Sequence, residues 1–159
     1  MGWVVSMGDT EKKVFILYGA ANRGKTTTFN LLFNKLCCEY SEYLIYFERD
    51  EYSADFWAVF KKDDVTIGLY SLGDYGDEVN HNLYQLDAYR CDYVFGTSRT
   101  RGGSCAAVNR YATLIRNSED VIEWIEKEYA LNQNDELAVN KQAVKKLFGQ
   151  FKEIFANTK

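Results

Sequence analysis

Two glycines five residues apart, set between an apolar run and an amphipathic helix, limit the fold of this chain more than any other feature. Lys13-Val14-Phe15-Ile16-Leu17-Tyr18 has the length and composition of a buried strand. After Thr26, the apolar residues Phe29, Leu32, Phe33 and Leu36 fall at i, i+3, i+4, i+7 and mark one face of a helix. Gly19-Ala20-Ala21-Asn22-Arg23-Gly24-Lys25-Thr26 joins the two. Gly19 and Gly24 let the backbone turn tightly, so that successive N–H groups converge on one point. A strand feeding a helix through a short turn is the unit from which parallel sheets are built, so an α/β architecture follows.

The rest of the chain continues the alternation. Proline is absent, so Gly, Asn, Asp and Ser must set the helix ends. Tyr43-Leu44-Ile45-Tyr46-Phe47 reads as a second strand ending in Glu48-Arg49-Asp50-Glu51. Asp55–Lys61 and Val65–Ser71 flank Lys62-Asp63-Asp64 and read as a hairpin. Val79, Leu83 and Leu86 mark a helix, and Tyr93-Val94-Phe95 a short buried strand that opens into a loop from Gly96 to Ser104. Ser104 suits the N-cap of a helix through Tyr111. Val121-Ile122-Glu123-Trp124-Ile125 fits helix or strand, and the alternation favours a strand. A long last helix begins near Asn134, with Leu137, Val144, Leu147, Phe148, Phe151 and Phe155 as its apolar face. The order predicts a single three-layer α/β domain over residues 13–159, mostly parallel, with one antiparallel hairpin arm. Residues 1–12 read as a flexible lead-in.

Composition bounds the functional classes. The 159 residues fit one domain, and a hydrophobic content of 47% suffices for a packed core. A net charge of −4 gives no basis for nonspecific nucleic-acid binding. No apolar run approaches the roughly 20 residues that span a bilayer, and no N-terminal stretch shows the charged start and apolar core of a signal peptide, so a cytoplasmic protein is expected. The four cysteines lack metal-ligand spacing and His81 is the sole histidine, so reduced thiols are expected and a zinc site is not. Met1–Ser6 formally fits an N-myristoylation pattern.

Gly19–Thr26 also satisfies G-x-x-x-x-G-K-[ST] at every fixed position. Over Val14–Leu36 the chain resembles the P-loop NTPase superfamily. The resemblance implies that Gly19, Ala20, Ala21, Asn22, Arg23, Gly24, Lys25, Thr26 and Thr27 line a phosphate site for ATP or another nucleoside triphosphate. Lys25 would neutralise the β- and γ-phosphates, and Thr26 would offer its hydroxyl to Mg²⁺. The superfamily places an acid after a strand like Val65–Tyr70. Asp74 is the first choice as metal-side acid, with Asp77 behind it, although Ser71, Leu72 and Gly73 intervene. Arg99 and Arg101 lie in a glycine-rich loop after a strand. They are suited to close over a transferring phosphate, because a guanidinium meets phosphate oxygens bidentately. Asp50 ends the second strand, where the resemblance implies a base or acceptor-binding residue as in many small-molecule kinases of the superfamily, and its neighbours Glu48 and Arg49 have similar claims. The strand Tyr93–Phe95 runs into Gly96-Thr97-Ser98-Arg99, not the N-K-x-D that reads guanine, and Asp74-Tyr75-Gly76 has the wrong spacing for D-x-x-G.

Two functions fit. The first is a small kinase or NTPase using ATP and Mg²⁺ on an unidentified acceptor. The second is a nucleotide-dependent switch or interaction module, with Tyr40, Tyr43 and Tyr46 paving a protein-partner surface.

Overall fold

The computed structural model describes residues 12–21 and 24–157. Apart from Lys12, the expected lead-in lies outside the described residues, as do the acylation pattern and the site candidates Asn22 and Arg23. The chain forms β1 (Val14–Tyr18), α1 (Lys25–Tyr40), β2 (Leu44–Arg49), β3 (Phe56–Lys62), β4 (Val65–Tyr70), α2 (Gly76–Ala88), β5 (Tyr93–Ser98), α3 (Gly103–Ile115), β6 (Ile122–Glu126) and α4 (Glu136–Ala156). Short 3₁₀ turns precede β2, β6 and α4.

The six strands form one mixed sheet in the order β2-β3-β4-β5-β1-β6. β4, β5, β1 and β6 pair in parallel, and β3 runs antiparallel to both its neighbours. Alternation along each strand divides the core between two faces. Phe15 and Leu17 of β1 turn to one side, with Phe95, Ile125 and the buried faces of α1 and α4. Val14 and Ile16 turn to the other, with Val59, Tyr70 and the faces of α2 and α3. One helix pair therefore covers each face of the sheet.

The differences from the sequence reading are local. β5 continues through Gly96, Thr97 and Ser98, which composition alone assigns to a loop. Gly96 pairs with Ile16 of β1, and a Cβ there would stand 2.1 Å from the Tyr70 ring, so glycine marks close packing and not a turn. Ser104 does not cap α3: Gly102, at φ 94°, holds the cap position and Ser104 lies buried in the first turn. Leu137 is 54% exposed in the first turn of α4, off the core that the periodicity assigns it to, while Val144, Leu147, Phe148, Phe151 and Phe155 pack as expected. Tyr40 and Tyr43 lie against Phe155, whereas Tyr46 stacks on Trp57 on the opposite face, so the three tyrosines form no single surface.

The connections fix where a ligand can sit. From β1 the chain crosses through α1 over one face towards β2. From β5 it crosses through α3 over the other face towards β6. β1 and β5 are neighbours whose crossovers diverge, so the crevice at their carboxyl ends is the topological switch point, the usual ligand position in such sheets. Gly19 N–H donates to Ser98 O at 3.0 Å across that crevice.

Candidate functional site

The start of α1 is electrostatically unusual. No side chain caps it and its first turn holds no acid. The orphan N–H groups at a helix start favour negative charge. This helix instead opens with Lys25, which is buried to 6% exposure. Gly24 permits the geometry, since its φ of 85° is left-handed and its missing side chain leaves room for Asn140, buried on α4. Asn140 Oδ1 is itself buried without a hydrogen-bond partner.

The Lys25 ammonium curls back over the loop. It donates to Gly19 O at 2.5 Å and Ala20 O at 3.3 Å, and pairs with Asp74 Oδ1 at 3.2 Å. Burial lowers its pKa, and Asp74 opposes that effect only in part. The charge of Arg99 presses in the same direction as burial. A desolvated ammonium at a helix N-terminus thus faces one carboxylate that is itself 38% exposed.

Asp74 is held there by a close backbone approach. A Cβ on Gly73 would lie 2.2 Å from both Thr97 O and Thr97 Oγ1, so only glycine lets the loop after β4 pass β5 at this distance. Thr97 Oγ1 donates to Ser71 O at 2.7 Å and fixes the same loop.

Thr26 takes a different partner. Its hydroxyl donates to Asp55 Oδ1 at 2.8 Å, and Ser71 Oγ donates to the same oxygen at 2.8 Å. Ser71 Oγ in turn accepts from Phe56 N at 2.9 Å. A continuous chain of hydrogen bonds, Thr26–Asp55–Ser71–Thr97, therefore ties α1 to the ends of β3, β4 and β5. Residue-type reasoning missed Asp55 as a site residue. The readable signal was the hairpin itself: the first residue of an antiparallel strand lies at the carboxyl edge of its parallel neighbours.

Gly24, Lys25, Thr26, Thr27, Asp55, Asp74 and Glu136 line a cleft of about 310 Å³ over this start, together with Ser71, Leu72 and Gly73. Gly19 is buried beneath the loop, and Ala20 is exposed and Ala21 half-buried above it. The arginines stand outside the cleft. Arg99 lies 5.9 Å from the centroid of the Tyr75 ring, and Arg101 is exposed ahead of α3. Ser104 Oγ accepts from Arg99 N at 3.0 Å and so sets the path of the loop that carries both. Asp50 is exposed and accepts from Tyr52 N at 3.1 Å within its own turn. Its charge still reaches Glu78, whose pKa rises through burial and through Asp74, Asp55 and Asp50. Asp77 is exposed on α2.

Comparison with family models, with curated proteins and with solved structures finds no match. The functional reading rests on the chain's own residues. Among the described residues no cluster of three or more His, Cys, Asp or Glu side chains forms a metal cage, and no helix is long and apolar enough to cross a membrane.

Proposed function

We propose that the chain binds a nucleoside triphosphate, ATP in the first instance, at the start of α1 and transfers or hydrolyses its terminal phosphoryl group. One observation carries the reading. Lys25 is buried on an uncapped helix start, in a cleft at the switch point of the sheet. Lysine there costs free energy twice, through desolvation and through the helix dipole. A polyphosphate reverses both terms, since it accepts from the orphan N–H groups and neutralises the ammonium. The phosphates would lie over Gly24, Lys25, Thr26 and Thr27, displacing Asp74 and the Gly19 and Ala20 carbonyls from the Lys25 ammonium.

The oxygen donors present fit Mg²⁺, which binds through one or two carboxylates together with substrate phosphates. The hydrogen-bonded pair Thr26–Asp55 and the neighbouring Asp74 offer a hydroxyl and two carboxylates. These residues would hold the ion, which when bound neutralises and orients phosphate oxygens. Arg99, whose charge already acts on Lys25, and Arg101 would supply positive charge from the loop after β5.

The test is thermal stabilisation by Mg·ATP, followed in the wild type and in Lys25→Met. A rise in Tm that disappears in the variant is expected. An equal rise in both sinks the reading. A nucleotide-dependent switch is favoured by a separate observation, the hold of Thr26 on Asp55 and hence on the loop before β3. ADP release that a small-molecule acceptor accelerates identifies the kinase, and slow turnover indifferent to every acceptor identifies the switch.

A further inference from the structure

A second cleft, of about 270 Å³, lies beside the phosphate cleft, and its walls include Lys127, Tyr129, Asn132 and Gln133. Glu136 lines both clefts. Lys127 flanks the glycine loop on the β6 side: its N–H donates to Tyr18 O at 2.7 Å, and its Cβ would stand 3.2 Å from a Cβ on Gly19. Its ammonium, 97% buried with its stem, donates to Glu128 O and feels the Glu136 carboxylate. Asn132 Oδ1 accepts from Asp135 N at 3.2 Å and fixes the head of α4, which carries Glu136.

A nucleotide is ordered phosphate, ribose, base. The surface is ordered α1 start, Glu136, Lys127 loop. A carboxylate accepts hydrogen bonds and repels phosphate, so the group it suits at the junction is the ribose diol. Resting on the nucleotide reading above, we propose that the second cleft takes the nucleoside and that Glu136 accepts from the ribose hydroxyls, selecting ribonucleotides. The base then lies against the loop 129–133.

Titration calorimetry with Mg·ATP, Mg·2′,3′-dideoxy-ATP and inorganic tripolyphosphate tests this. The wild type is expected to prefer ATP to the dideoxy compound by about tenfold, the worth of one charge-assisted hydrogen bond at an exposed position. In Glu136→Ala the two affinities should converge. Taking their ratio within each protein cancels any change in phosphate affinity. Equal affinities in the wild type, or an unchanged ratio in the variant, overturn the assignment of Glu136 while tripolyphosphate binding leaves the phosphate site standing. Failure of both ATP and tripolyphosphate to bind removes the nucleotide reading itself, and this inference with it.

Discussion

At the scale of single residues, Lys25 is a liability to the fold that a ligand would turn into an asset. Burial disfavours its charged form more than Asp74 favours it, which lowers its pKa. Lys25→Met keeps the stem and removes the charge, while Asp74 remains solvated enough to stand alone. Without nucleotide the variant is expected to match or exceed the wild type in Tm, even as it loses stabilisation by Mg·ATP. The pH dependence follows from the direction of the shift. Between the folded pKa and the unfolded value near 10.5, the unfolded chain binds the extra proton, so wild-type stability rises with pH there. The advantage of Lys25→Met should accordingly shrink as pH approaches 10.5, which urea unfolding at a series of pH values will measure. A constant difference across the series contradicts the desolvation argument. Lys25 and Thr26 were legible from the sequence because their spacing from two glycines is a pattern. Asp55 was not, because its role comes from register and not from its neighbours in the chain.

Elements explain why the site is built where it is. The loop after β4 reaches Lys25 only because Gly73 lies flat against Thr97. Gly73→Ala sets a methyl group at 2.2 Å from a backbone oxygen, which no rotamer relieves. It is expected to cost about 3 kcal/mol of stability and to weaken Mg·ATP binding beyond what Asp74→Ala does, because the hold on Ser71 and Asp55 goes with it. Denaturant midpoints and calorimetric affinities of the two variants check both parts. Nucleotide affinity in Gly73→Ala equal to that of Asp74→Ala refutes the second part. The sequence marked strand and helix positions well where apolar periodicity was strong, as along α1 and the last four turns of α4. It lost Gly96-Thr97-Ser98 to a loop because a glycine and a serine beside Gly-rich sequence outweighed the strand preference of Thr97, although register with β1 holds all three extended. It placed Leu137 in the core because periodicity marks the face of a helix and not which of its turns are covered.

For the whole molecule, strand order matters more than any one contact. Alternating strands and helices announced an α/β sheet, but no local signal revealed that β5 lies between β1 and β4, or that the switch point falls at Gly19. That order brings the ends of β3, β4 and β5 around one helix start. A ligand held there stabilises the entire domain by linkage. Mg·ATP at a hundredfold excess over its Kd is expected to raise Tm by about 5–10 °C for a domain of this size. A smaller rise for inorganic tripolyphosphate would measure the nucleoside's share. Scanning calorimetry at several ligand concentrations checks the logarithmic dependence, and a Tm indifferent to concentration rules out binding to the folded state alone. One further consequence comes from the chain Thr26–Asp55–Ser71–Thr97 and the ammonium already satisfied at Gly19, Ala20 and Asp74. At the Lys25 ammonium, loading would be a partner exchange, in which an arriving oxygen evicts one that the protein itself supplies, whereas the uncapped N–H groups of α1 would gain a partner. Bonds made and bonds broken then nearly balance at the ammonium, so the heat of association should come mainly from the helix start. Released water and counterions would add to the driving force, and the arrival rate would be set by how fast the native partners let go.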